Sequence, residues 1–402
     1  MIDALQPLRI AHVITRLING GADENTVISC NQAVRSGHAV MLVHGAQTRS
    51  EILATVDARV EIVELPSLVR PIAPLSDVKA LGDLVRTFRR LRPDVVHTHT
   101  SKAGILGRLA AQAASVPVVV HGVHIVPFLN VGRLETYAYL TAERALQRMT
   151  HAFIDVSPGM RDLCVEAGVG TAERHHVVES GFDLSLFRNA TEPEDWSDLL
   201  RLAPEDPRPP VVVMLAVFEA RKRHLECLER LPRIVARFPE ARFVFAGDGK
   251  LRNAIDARIK TLGIERNVIL PGFHPHPEQL IALADICLLA SASEGLPRVL
   301  MQYLAGGRPV IATDLPCIGD VLRHDVNGLV VRSDDLDGLA DAVVALLEDP
   351  ARRARLAHAA ATTELSKWDA ARMGERLEAV YADVMRGRVP QRLPGRREAV
   401  TS

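Results

Sequence analysis

The chain has 402 residues, with 48 Lys plus Arg against 49 Asp plus Glu and a hydrophobic fraction of 48%. That length suits two domains better than one core, and the balanced charge excludes a global field drawing the molecule to nucleic acid or to an acidic membrane. Cys30, Cys164, Cys227, Cys287 and Cys317 are scattered without paired spacing, which favours buried reduced thiols over a disulfide framework. No run is long and apolar enough to span a bilayer, so a cytoplasmic protein is expected.

In chain order, residues 8–14 read as a first strand, and Asn19-Gly20-Gly21-Ala22 as a tight turn into a helix over roughly 23–36. The turn lacks the G-x-G-x-x-G dinucleotide fingerprint; it suits either close approach of a ligand to the backbone or a plain strand–helix connection. Strands follow at 39–44 and 60–65, then a helix over 76–91 with an apolar stripe at Val78, Leu81, Leu84, Val85 and Phe88. Its end is basic, at Arg86, Arg89, Arg90 and Arg92. A solvated face is the ordinary reading and rest on an anionic membrane surface the sharper one. In DVVHTHT, residues 94–100, His97 and His99 share one face of a strand; Ser101 is placed to cap the next helix, with Lys102 near its start. The next strand ends in His121 and His124. No Asp, Glu or Cys completes a ligand spacing with these histidines, so no metal is expected; they suit the polar lining of a crevice at the strands' carboxyl ends. Strands at 151–156 and 175–179 follow, and Asp183 is placed either at an edge of that crevice or as a helix cap.

Residues 188–210 are acidic and proline-rich and read as a linker. Beyond it the alternation resumes, with strands near 211–217, 242–246, 268–270, 285–290, 308–312 and 328–331. The turn Phe218–His224 holds Arg221, Lys222 and Arg223, cations suited to a diphosphate or simply a solvated loop. In DICLLASASEGLPRVLMQYLAGGRPVIATD, residues 285–314, a buried strand leads through a polar loop to a helix that the reading begins at Pro297. The free N–H groups of that helix make an anion site with Glu294 and Gly295 at its lip. A carboxylate beside an anion site makes sense if it addresses hydroxyls of a ligand whose phosphate lies at the helix end, as in a sugar nucleotide. An ordinary strand–loop–helix connection is the alternative.

This last stretch resembles the signature of the family-4 retaining glycosyltransferases, E-G-x-x-x-x-x-E, in which the first Glu meets the donor sugar and the second the ribose. Glu294 matches the first position and Gln302 replaces the second. HTHTSKAGILGRLAA resembles members that build bacterial surface polysaccharides and lipopolysaccharides, and His124 matches the family's acceptor-side histidine, with Ile125 in place of the usual glycine. Lys222 matches the family's phosphate-binding Lys, whereas its Arg position falls on Ala216 or Val217, leaving Arg221 or Arg223 to supply that charge.

The resemblance implies an α/β GT-B architecture, two facing Rossmann-like domains with a cleft between. It divides the chain into an acceptor-side domain (1–190), a linker (191–209), a nucleotide-sugar domain (210–367), a helix returning to the first domain (368–388) and a disordered tail (389–402). It implies a metal-independent, cofactor-free transfer from a nucleotide diphosphate sugar to a glycan or lipid-linked glycan, with the inner face of the membrane as a peripheral partner and no nucleic acid. Glu294, His124 and Lys222 become the catalytic candidates. Gly20, Gly21, Arg221, Arg223, Gly247, Gly249, Phe273, Gly295, Leu296, Pro297, Arg298, Val299 and Gln302 become donor contacts, and His97, His99, Lys102 and His121 acceptor contacts. A nucleotide-sugar 2-epimerase and a non-catalytic nucleotide-sugar binder are the alternatives.

Overall fold

A computed structural model describes residues 6–387 apart from 19–20, 125–131, 204, 295–296, 316–317 and 320. Gly20, Gly295, Leu296, Ile125, Cys317 and the tail 389–402 therefore lie outside the described residues. The chain divides into two compact units, one of residues 1–182 with 367–402 and one of 183–366, so the proline-rich run at 188–210 falls within the second.

The first unit is a parallel sheet of β1 (Arg9–Ile14), β2 (Ala39–His44), β3 (Glu61–Glu64), β4 (Val95–His99), β5 (Val118–Val123), β6 (Ala152–Asp155) and β7 (His175–Val177), in the order β3-β2-β1-β4-β5-β6-β7. Every residue of β4 and β5 is buried, as strands covered by helices on both faces require. One face packs on the helices Gly21–Arg35 and Ala370–Met385, through Ile10, Ile14, Val27, Cys30, Val95 and Val120 against Met373, Leu377, Val380 and Tyr381. The other packs on Pro74–Leu91 and Ser101–Ala113 through Ala11, Val13, Val96, Leu84, Phe88 and Leu106.

The terminal helix belongs to this unit because Met373, Leu377, Val380 and Tyr381 pack in its core and two backbone bonds tie the start of the helix to Phe182; Asp369 caps it, accepting from the Ala371 N–H at 2.8 Å. Ser101 is not a cap. Thr100 holds the N-cap position at φ 63°, ψ 168°, with no side-chain cap bond, and Ser101 is already helical. A β-branched residue there is strained, and that strain sits at the carboxyl end of β4.

The second unit is a parallel sheet of β8 (Val211–Leu215), β9 (Arg242–Ala246), β10 (Val268–Gly272), β11 (Ile286–Leu289), β12 (Val310–Thr313) and β13 (Gly328–Val331), in the order β10-β9-β8-β11-β12-β13. Its core joins Phe218, Phe243, Phe245, Leu288, Ile311 and Leu346. The helix after β11 begins at Arg298, one residue later than expected; Pro297 is its N-cap, with φ −75° and ψ 83°. Proline fixes φ but not ψ, and here ψ stays outside the helical range. In both sheets the strand order reverses beside the first strand, at β1/β4 and at β8/β11. Loops leaving neighbouring strands there diverge to opposite faces and open a crevice, the customary ligand position in such folds. No helix among the described residues is long and apolar enough to cross a membrane. Cys30, Cys164, Cys227 and Cys287 are buried and unbridged.

Candidate functional site

In the second unit, the loops after β8 and β11 meet at the switch point. The Ala292 N–H donates to the Arg221 carbonyl at 2.7 Å, joining the two loops through their backbones. Their side chains converge on Glu294. Lys222 Nζ donates to Oε1, Arg221 Nη1 donates to Oε2 at 2.9 Å, and Ser291 Oγ donates to Oε1 at 2.6 Å. Ser291 is held in turn by Thr313 Oγ1, which donates to its carbonyl at 2.7 Å. The Glu294 and Lys222 side chains are only 8% and 11% exposed, so their charges are poorly screened by water. Burial works to raise the Glu294 carboxyl, but Lys222, Ser291 and Arg221 together hold it below the usual range. Burial lowers the Lys222 ammonium, with Glu294 opposing.

Sequence reading left the missing phosphate-binding arginine to Arg221 or Arg223. The structure places Arg221 on Glu294, while Arg223 Nη1 donates to the Ser333 carbonyl. Around this group, Gly247 lets the turn after β9 pass close to β8. A Cβ there would stand 2.0 Å from the Ala216 carbonyl oxygen, and the Gly247 N–H donates to Gly272 at 2.8 Å. Gly249, in the same turn, adopts φ 157°, and Phe273 follows β10 half-buried. Arg298, Val299 and Gln302 occupy the first turns of the helix after β11, all half-buried.

His224, which sequence reading passed over as a site residue, lies fully buried beneath Lys222, its ring edge-on to Phe218 (4.8 Å) and Phe245 (5.7 Å). Burial first, then the Lys222 charge, lowers its pKa from 6.5 to about 4. Between those values the unfolded chain binds a proton that the folded chain refuses. The stability is therefore full above pH 6.5 and falls as the pH drops towards 4. We expect His224→Phe to make that acid loss shallower by up to about 3 kcal/mol, read from urea midpoints at pH 7, 5.5 and 4.5; an unchanged pH dependence would refute the account.

In the first unit, register gathers the histidines. His12 pairs with His97 across β1 and β4, and His99 pairs with Gly122 across β4 and β5. The two-residue period of a strand then puts His12, His97, His99, Gly122 and His124 on one face, with Thr98 and His121 on the other. His12 Nδ1 and His99 Nε2 share a hydrogen bond of 2.9 Å, His99 Nδ1 and His124 Nε2 another of 2.9 Å, and His97 Nδ1 meets Tyr381 Oη at 2.8 Å. A Cβ at position 122 would lie 3.1–3.2 Å from nitrogens of His124, His99 and His97, so glycine leaves the rings their room.

His12 was invisible as a site residue because it lies inside an apolar strand far back in the chain. His121 instead meets Thr98 Oγ1 at 2.9 Å on the other face and is buried. Lys102 forms an ion pair with Asp77 at 2.5 Å and donates to the Pro71 carbonyl, which ties its helix to the preceding one. Of these acceptor-side candidates only His124 and Lys102 retain part of their surface. Gly21 opens the helix that follows β1.

Residues 20–181 match the model "Glycosyl transferase 4-like domain" and residues 201–363 the model "Glycosyl transferases group 1", which between them take in most of the chain. The chain is a family-4 glycosyltransferase. The glycosyltransferase is 26% identical over 298 residues to the UDP-Gal:alpha-D-GlcNAc-diphosphoundecaprenol alpha-1,3-galactosyltransferase of Escherichia coli, covering 73% of this chain and 76% of that one. It is 26% identical over 343 residues to the alpha-D-kanosaminyltransferase of Streptomyces kanamyceticus, covering 81% and 88%. Its fold matches Anabaena HepE in complex with UDP and glucose at a TM-score of 0.75, with 20% identity over 94% of this chain and 100% of that one. It also matches the sucrose-phosphate synthase of Thermosynechococcus elongatus at 0.73, with 17% identity over 94% and 100%. The fold is GT-B, and the activity is glycosyl transfer from a nucleotide sugar.

Proposed function

We propose that the enzyme is a retaining, metal-independent glycosyltransferase that moves a sugar from a nucleoside diphosphate onto a carbohydrate or lipid-linked glycan in bacterial surface polysaccharide or lipopolysaccharide assembly. The observation that carries this reading is the convergence of Lys222, Arg221 and Glu294 at the β8/β11 switch point. In transfer, the bond from the sugar's anomeric carbon to the β-phosphate oxygen breaks and a bond to the acceptor oxygen forms on the same face. The acceptor proton passes to the departing phosphate. Lys222 and Arg221 exchange Glu294 for that diphosphate and stabilise the charge growing on it, in the place a divalent cation takes in other enzymes. Glu294, so released, accepts hydrogen bonds from sugar hydroxyls, Gln302 from the ribose, and His124 serves the acceptor side.

Because a ligand that binds only the native state raises the melting temperature, uridine diphosphate and its sugars, tested first because the HepE complex holds UDP, are expected to stabilise the protein in a chelator-containing buffer. Lys222→Ala should remove that stabilisation. No shift with any nucleotide diphosphate would defeat the reading.

A peripheral contact with an anionic membrane is supported by Ile72, Leu75 and Val78, exposed to 85%, 90% and 72%, beside the exposed Arg70, Lys79 and Arg86. Co-sedimentation with phosphatidylglycerol vesicles but not with phosphatidylcholine, weakened by Leu75→Glu, is the expected result. Equal binding of the parent protein and Leu75→Glu would remove the contact from that helix.

A further inference from the structure

His12, His97 and His99 stand among the apolar residues that pack the sheet on the terminal helix, and are 0%, 1% and 1% exposed. Their ring centroids are 5.1, 5.2 and 4.2 Å apart, and a nitrogen from each lies within 4.8 Å of a nitrogen from each of the others. Three neutral imidazoles bring three N–H donors and three lone pairs into this apolar setting, where an unmatched polar atom is costly. The contacts to each other, to His124 and to Tyr381 match some of them. His12 Nε2 and His97 Nε2 remain buried with no hydrogen-bond partner among the described residues.

We propose that His12, His97 and His99 form a binding site for a borderline-soft divalent cation, Zn²⁺ in preference to Mg²⁺ or Ca²⁺. The donor set is all imidazole, which suits zinc, whereas hard cations need oxygen ligands that this cluster lacks. The 2.9 Å hydrogen bond between His12 Nδ1 and His99 Nε2 would give way to the ion, and the three donor nitrogens, which lie within 4.8 Å of one another, would close by ring rotation towards the roughly 3.3 Å that two ligands take on a tetrahedral zinc with bonds of about 2.0 Å.

The outer contacts are also those of a metal site. Tyr381 Oη meets the far nitrogen of His97 and His124 the far nitrogen of His99, so both ligands have their ring orientation held from outside. The cation would join β1, β4 and, through Tyr381, the terminal helix. It would serve the architecture of the first unit and take no part in the diphosphate chemistry proposed for the second.

The test uses the full chain, stripped of metal and titrated with Co²⁺ and then Zn²⁺. One equivalent of Co²⁺ should give the visible absorption of a four-coordinate site of three imidazole nitrogens and one solvent ligand, Zn²⁺ should displace it, and zinc in hundredfold excess over its dissociation constant should raise the melting temperature by about 5 °C. His97→Phe and His12→Gln should lose the absorption. His276→Ala should keep it, which separates this site from the His274–His276–Glu278 group of the second unit. If either buried variant fails to fold, the wild-type spectrum and the His276→Ala control decide. Absence of both the Co²⁺ band and the zinc shift overturns the proposal, as does binding that survives His97→Phe or vanishes in His276→Ala.

Discussion

Glu294→Ala is expected to lower glycosyl transfer roughly a thousandfold, the scale of losing a principal charge-organising group in an active site. The carboxylate has two duties. It orders Lys222 and Arg221 before the nucleotide arrives, and it is the group proposed to receive sugar hydroxyls afterwards. Its removal leaves the Lys222 ammonium, 11% exposed, without its counter-charge. The lysine can shed its proton, because burial already lowers its pKa, and so it loses the charge meant for the diphosphate. Glu294→Gln keeps an acceptor for Ser291 but not the charge, and should fall between the two. The measurement is the rate of nucleoside diphosphate release with the donor that stabilises the protein, alongside circular dichroism to establish that each variant is folded. Turnover of Glu294→Ala within threefold of the parent would sink the assignment of this residue.

The largest stability effect belongs to a buried pair away from that site. Arg108 is fully buried, and its Nη2 donates to both carboxylate oxygens of Glu143, each at 2.8 Å, while Nε donates to the Gly104 carbonyl at 2.8 Å. The pair links the helices Ser101–Ala113 and Arg133–Leu146. Glu143→Ala strands a guanidinium with no solvent to receive it, and should cost about 3–5 kcal/mol. Replacing both partners together, Arg108→Met with Glu143→Leu, removes the desolvation penalty with the charge and should cost clearly less than the single change. Urea unfolding at neutral pH compares the two, and a single variant within 1 kcal/mol of the parent would contradict this account.

Family membership and the α/β alternation were legible in the chain because they rest on local signals. Valine and isoleucine runs of strand length, turn glycines and the Glu294–Gln302 spacing are written within a few residues of one another. Boundaries were less so. Pro297 and Ser101 both carry side chains that favour a helix start, yet the backbone angles at Pro297 and Thr100 decided otherwise, and those angles answer to packing.

What only the tertiary structure decided is which charge meets which. Arg221 and Arg223 differ by two residues in the same basic loop, and nothing local distinguishes them; their opposite fates follow from where β11 and Ser333 bring the rest of the chain. Likewise His12 joins His97 and His99 through a strand register set by sheet order, and Tyr381 joins them through a helix from the far end of the sequence. By itself the sequence determined the elements and the motif, since each depends on the conformational preference and polarity of neighbouring residues. The pairing of distant side chains depended on burial of both sheets' faces, which no local pattern encodes.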